Sequence, residues 1–323
     1  MKNLYSFFLP VILVFVLAVC GESNAVPSVS GNVDTDMRVI DIINNPAFEG
    51  FGQFLFPTER GMPNAEMRLD GIDSLLPFHS NINAETTIKV INYMLNEANS
   101  GKTIFYAIYT DEEKQYDPTK ENTGLFFFRG KPNAPFAVVC AGGGFSYVGS
   151  IHESFPLALE LSEKGYNAFA IQYRTGGANV ACEDLAMAIS FIFANSVKLE
   201  VSTDNYSLWG GSAGARMVAY LGSYGPAAFG GADLSRARTV AMLYTGHSDY
   251  TADDPPTFVV IGENDGIASW CTMERRVNAL KTAGIDTEFH KYPNLGHGFG
   301  LGIGTSAEGW LNNAVAFWEK YLD

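Results

Sequence analysis

Residues 209–216 read Trp-Gly-Gly-Ser-Ala-Gly-Ala-Arg and follow directly on the apolar run Tyr206-Ser207-Leu208. A short strand, a sharp turn with Ser212 at its tip and a helix start make Gly210-x-Ser212-x-Gly214 a nucleophile elbow. Such a serine sits in a strained turn. Glycines two before and two after it let neighbouring backbone and the following helix approach without side-chain clashes. With 33 glycines in the chain, the five-residue pattern alone is cheap. Its surroundings decide what it means.

Three further pieces fall where an elbow needs them. Upstream, Phe136-Ala137-Val138-Val139-Cys140-Ala141 reads as a buried strand running into Gly142-Gly143-Gly144-Phe145. Downstream, Thr257-Phe258-Val259-Val260-Ile261 is followed by Gly262-Glu263-Asn264-Asp265-Gly266. Finally, Thr287–Tyr292 leads to Asn294-Leu295-Gly296-His297-Gly298-Phe299. A serine, an acid and a histidine thus each follow a strand, in the order Ser…Asp…His, which is the order of the α/β-hydrolase arrangement.

On these stretches the chain resembles the α/β-hydrolase superfamily. The segment from about Ala134 to Asp323 is most similar to small esterases with a glycine-rich oxyanion loop, including acetyl and carbohydrate esterases. Ala141 departs from the pattern, since many relatives carry His or Pro before the three glycines; the backbone donors are unaffected. The resemblance implies a serine ester hydrolase acting by an acyl-enzyme mechanism on short acyl groups, acetyl first, on small-molecule or saccharide esters. It implies no cofactor. A prolyl-oligopeptidase-like serine peptidase shares the same motifs, but the chain lacks room for the large accessory domain of those enzymes. A non-catalytic binding protein on the same fold is a further alternative.

Roles follow from residue type and place. Ser212 is the candidate nucleophile and His297 the general base, preferred over His79, His152, His247 and His290 because it lies in the last strand-to-helix loop between glycines. Asp265 is the candidate third member, with Glu263, Asp249, Asp253 and Asp254 as alternatives. The backbone N–H groups of Gly143, Gly144 and Ala213 are the candidate oxyanion hole, because the loop must present amides rather than side chains. Asp184, among Leu185, Ala188 and Ile189, suits a scaffold role. No His/Cys/Asp cluster at ligand spacing suggests a metal, and no Gly-Lys-Ser/Thr follows the glycines to suggest a phosphate loop.

The formal charge of −14 argues against a nucleic-acid partner and against docking to an anionic membrane. Lys2 followed by the apolar stretch Tyr5–Cys20 and by Gly21-Glu22-Ser23-Asn24-Ala25 reads as an export signal over residues 1–25, and hence a secreted or periplasmic protein. A competing reading makes Cys20 the lipid-anchored residue of a lipoprotein signal, for which Val19 is a poor neighbour. Without Cys20, the cysteines Cys140, Cys182 and Cys271 form no disulfide framework.

Residues 26–36 read as a linker, 26–100 as an N-terminal extension and 101–323 as the catalytic domain, with an α/β fold built on a mostly parallel sheet with helices on both faces. Ala84–Asn99 has helical spacing; Thr103–Tyr109 and Leu125–Arg129 read as strands joined by a polar loop, Thr110–Thr123. Beyond them, strands at 168–173, 206–209 and 239–243 alternate with helices at 152–164, 179–196, 213–223, 269–283 and 306–321. Only about a dozen residues separate Tyr244 from Thr257, too few for a helical lid. Phe48, Phe51, Phe54 and Phe56 of the extension either cap the acyl pocket or pack on the sheet edge.

Overall fold

The computed structural model describes residues 32–322; the export signal, the Cys20 alternative and residues 26–31 of the linker lie outside the described residues. The strands are β1 (Phe105–Tyr106), β2 (Gly124–Phe128), β3 (Pro135–Cys140), β4 (Asn167–Gln172), β5 (Ser202–Gly211), β6 (Thr239–Leu243), β7 (Thr257–Gly262) and β8 (Thr287–Tyr292). They form one sheet in the order β1-β2-β4-β3-β5-β6-β7-β8. β2 runs antiparallel to β1 and β4, and every pair from β4 through β8 is parallel. Parallel strands covered on both faces read as unbroken apolar runs. Accordingly, β4, β6 and β7 are buried at every position.

The helices are α1 (Val39–Ile43), α2 (Ala84–Asn99), α3 (Asp111–Tyr116), α4 (Ser154–Glu163), α5 (Ala178–Ala194), α6 (Ser196–Leu199), α7 (Ala213–Tyr224), α8 (Trp270–Thr282) and α9 (Trp310–Glu319). They cover both faces, as β5 shows by its own alternation. Its Tyr206 packs on Phe193 of α5, whereas Trp209, three residues on, packs on Trp310 and Trp318 of α9.

The sequence expectations for this region need two corrections. The strand expected over Thr103–Tyr109 shrinks to Phe105–Tyr106, and the expected polar loop 110–123 contains α3 and a 3-10 turn, Pro118–Asn122. Thr110 starts α3 with a full capping box to Glu113, satisfying amides that a helix end leaves open. Within the extension, residues 37–71 hold α1 and the 3-10 turns Pro46–Phe48 and Gly52–Phe54; a third, Leu69–Leu75, overlaps their end.

Two of the four phenylalanines of the extension, Phe51 and Phe54, settle at the sheet edge. Phe51 stacks on Phe105 of β1 at 5.1 Å and meets Phe126 of β2 edge-on, and Phe54 stacks on Phe105. None of the four lines the cavity beside Ser212.

Asp184 has the scaffold role its neighbours suggested. Its side chain is fully buried and accepts from the Arg174 guanidinium at 2.8 Å, the Arg174 backbone N–H at 2.7 Å and the Tyr109 hydroxyl at 2.6 Å. Burial pushes its carboxyl up, opposed by those donors. Removing Asp184 leaves Arg174 with Asp117 and Glu183, but strips the buried Arg174 N–H and Tyr109 hydroxyl of their acceptor and breaks the fully buried part of the pair. Asp184→Ala is therefore expected to destabilise the fold by about 3–5 kcal/mol, read by urea unfolding. A loss within about 0.5 kcal/mol rules out a structural pair here.

Candidate active site

The elbow is built as its glycines imply. Ser212 sits between β5 and α7 at φ 51° and ψ −113°, a left-handed conformation that costs a non-glycine residue about 1–3 kcal/mol. Its N–H donates to Leu243 O of β6 at 2.9 Å, which fixes the turn from the neighbouring strand. A Cβ on Gly210 would stand 2.5 Å from the Gly214 carbonyl, and one on Gly214 would collide with Cys140 O. The two glycines are therefore the contact between strand and helix.

Ser212 Oγ lies 2.9 Å from His297 Nε2, and His297 Nδ1 lies 2.7 Å from Asp265 Oδ2. The other oxygen of Asp265 accepts from the N–H groups of Ile267 and Ala268 at 2.8 and 2.7 Å. An ionised carboxylate only accepts, so the imidazole carries its proton on Nδ1 and offers a bare Nε2 to the serine hydroxyl. The alternatives for the acid are engaged elsewhere. Glu263 pairs with Lys291, Asp249 accepts from Tyr224 Oη, Asp254 pairs with Arg276 at 2.5 Å, and Asp253 is exposed beside Arg236.

The loop after β3 is pinned from several sides. Gly142 N–H donates to a carboxylate oxygen of Glu153, while Ala141 O and Gly142 O accept from Tyr173 Oη and Gly149 N–H. Gly143 and Gly144 adopt φ 134° and 62°, and at Gly143 a Cβ would meet Tyr147. Among the described residues, the amides of Gly143, Gly144 and Ala213 donate to no protein acceptor. Gly144 and Ala213 line the cavity with Ser212 and His297; Gly143 stands one residue behind.

That cavity holds about 460 Å³ and continues past Arg216, His247, Ser248 and Asp249. The short β6–β7 connection forms one wall of it, and Ile267, 61% exposed, stands on its rim. The exposed Arg216 side chain has one hydrogen bond among the described residues, to the Tyr220 hydroxyl. His247 is 6% exposed, packs edge-on against Tyr220, and has no partner for Nε2 among the described residues.

Sequence reasoning passed over the residues beneath the site. Glu153, 1% exposed at the start of α4, accepts from the Tyr244 hydroxyl at 2.9 Å and pairs with His79 of the extension. Tyr244, at φ 34°, lays its ring edge-on against His297 at 5.1 Å. Ser80 Oγ donates to His297 O at 2.6 Å. The sequence neighbourhoods of Glu153 and His79 carry no signal of this: Glu153 stands between His152 and Ser154, and His79 between Phe78 and Ser80.

Two other buried histidines make the fold acid-sensitive. Burial pushes His152 down to about 4, helped by the charge of His79, and burial with Arg276 and Arg216 pushes His247 down to about 4. In the unfolded chain both titrate near 6.5, so between pH 6.5 and 4 the unfolded state binds protons that the folded state refuses. Stability is full above pH 6.5 and falls on acidification, by up to about 1.4 kcal/mol per pH unit for each histidine. The urea midpoint is expected to drop through this window, and His247→Asn to make the drop shallower. A midpoint independent of pH from 7 to 4.5 contradicts the burial of neutral imidazoles.

Comparison with known proteins places this geometry. The family model BD-FAE matches residues 128–232, less than half of the chain. Comparison with curated proteins finds no match. Among solved structures, an acetyl ester-xyloside bifunctional hydrolase from Caldicellulosiruptor lactoaceticus is 20% identical with a TM-score of 0.60, covering 67% of this chain and 95% of that one. An α/β hydrolase, MGS-M1, from a Medee basin deep-sea metagenome library is 23% identical with a TM-score of 0.54, covering 62% and 93%. A thermophilic esterase from the Planctomycetes species Thermogutta terrifontis is 18% identical with a TM-score of 0.53, covering 61% and 89%. With its strand order, its antiparallel β2 and its elbow between β5 and α7, the chain is an α/β-hydrolase-fold protein.

Proposed function

We propose that the protein hydrolyses carboxylic esters through an acyl-serine intermediate. The observation that carries this reading is the unbroken Ser212–His297–Asp265 hydrogen-bonded chain opening on the cavity. Ser212 Oγ attacks the ester carbonyl as its proton passes to His297 Nε2. The carbonyl oxygen becomes an anion facing the amides of Gly143, Gly144 and Ala213. His297 returns the proton to the leaving alcohol, the C–O bond breaks, and the acyl group stays on Ser212. Water then repeats the sequence, releasing the acid and restoring the serine. Asp265 holds the imidazole tautomer and stabilises the imidazolium in both halves.

The proposed substrates carry a short acyl group, acetyl first, on a polar alcohol such as a sugar. Two observations favour them. The cavity wall beyond Ser212 offers Arg216, Ser248 and Asp249, a mix of donors and acceptors that suits hydroxyl groups. The Caldicellulosiruptor lactoaceticus relative of the same fold acts on acetyl esters and xylosides. The apolar stretch Tyr5–Cys20 supports export, where such substrates lie.

Ser212→Ala is expected to keep the unfolding midpoint and to lower turnover of nitrophenyl acetate by about 10³-fold or more. Wild-type protein should cleave that ester faster than the butyrate analogue, leave an aminoacyl nitroanilide intact, and be labelled by a fluorophosphonate at Ser212. Equal turnover in the alanine variant sinks the mechanism, and faster cleavage of the anilide moves the protein to the peptidases.

A further inference from the structure

A charged carboxylate lies buried directly behind the candidate catalytic loops, and the mechanism above does not use it. Glu153 Oε2 accepts the Gly142 N–H at the entrance to the oxyanion loop. It also packs so closely on the elbow that a Cβ on Gly211 would stand 2.6 Å from it. Oε1 takes the Tyr244 hydroxyl at 2.9 Å, and the Tyr244 ring supports the His297 imidazole. One carboxylate thus touches the oxyanion loop, the nucleophile turn and the brace of the general base.

An unpaired anion in this place opposes the reaction, because the transition state builds negative charge on the ester oxygen in the same dry region. The extension supplies the remedy. His79 Nε2 lies 3.0 Å from Glu153 Oε1, off the line of a straight hydrogen bond, so the contact works through charge when the imidazole is protonated. Its Nδ1 meets Tyr147 Oη at 2.9 Å, and the same oxygen accepts the Phe78 N–H. Ser80, next in sequence, bonds His297 O and Gly298 O. Residues 78–80 therefore form a wedge between the oxyanion loop and the histidine loop. Burial alone raises the Glu153 carboxyl, yet the adjoining His79 holds it down to about 2.

We propose that Glu153 is a positioning residue for ester hydrolysis, and that His79 of the N-terminal extension supplies the counter-charge it needs there. The carboxylate uses up the Gly142 amide and fixes that peptide plane, leaving the next amides free to face the cavity. The extension then belongs to the active site from behind. This inference rests on the ester-hydrolase reading for its rates, though not for its geometry.

The test uses the full chain with two readouts: steady-state kinetics on nitrophenyl acetate, and amide hydrogen exchange of the peptide covering residues 141–147. Glu153→Gln keeps the shape and removes the charge. It is expected to lower kcat about ten- to a hundredfold with KM within about twofold, and to speed exchange in 141–147. His79→Gln, which strands the anion, should lower kcat further than the double variant Glu153→Gln/His79→Gln does. A merely structural pair shows that same order in the urea midpoint only, with kcat per folded enzyme at the wild-type level in all three variants, and that result overturns the proposal. Wild-type kcat and wild-type exchange in Glu153→Gln overturn the proposal. If that variant does not fold, Tyr244→Phe removes one bond to the carboxylate and keeps the ring on His297; it is expected to lower kcat severalfold at unchanged KM, and unchanged kcat overturns the proposal. Absent turnover in wild-type protein would count against the ester-hydrolase reading alone, since the exchange comparison still stands.

Discussion

The left-handed turn at Ser212 is the constraint around which the molecule is arranged. A serine at φ 51° does not hold that conformation by itself, so the surroundings must over-determine it. They do so by proximity: β5 and α7 approach through Gly210 and Gly214 too closely for any side chain, and β6 takes the serine amide. Close approach in turn requires the sheet to be buried on both faces, which explains the unbroken apolar strands around it. Tyr244, at φ 34° where β6 ends, is a second strained residue, and it faces the same histidine. Phe145, at φ 57° after the glycine loop, is a third non-glycine residue at positive φ lining the cavity.

The N-terminal extension divides into two parts with different work. Phe51 and Phe54 extend the apolar core over β1 and β2, the short antiparallel edge that would otherwise be open. Residues 78–80 run instead to the centre, joining the loops that follow β3 and β8. A cap was one of two expectations for the phenylalanines. The aromatic of the extension that does reach the glycine loop is Phe78, whose ring lies 3.1 Å from where a Cβ on Gly144 would be and stacks on Tyr147.

Most of the scaffold was legible because each central strand and helix carries its own period. β6 and β8 fall on the residues that the apolar and alternating runs mark, and α2 does so through Ile88, Ile91 and Leu95. The meeting of Ser212, His297 and Asp265 was legible because all three sit at strand ends, where sequence order alone says they converge. What escaped was of two kinds. α3 is wholly without buried residues, so it has no apolar stripe, and its mark was the capping box Thr110–Glu113. Glu153 and His79 are 74 positions apart, and nothing in either neighbourhood says that a charged residue will be buried. A charge goes inside only when a partner from elsewhere meets it, which is a property of the fold and not of the segment.

The buried carboxylates follow a pattern that bears on the site. Asp184 is held by Arg174 and Asp254 by Arg276, both guanidinium groups that stay charged at any ordinary pH. Glu153, the one beneath the loops, is held by an imidazole. A histidine is compact enough to fit between Tyr147, His152 and the glycine loop, where the ring centroids stand 5.8 and 5.5 Å away. It also bonds from both edges of a flat ring, tying Glu153 to Tyr147 in one piece. The guanidinium groups thus hold the scaffold carboxylates, and the smaller imidazole fits behind the glycine loop.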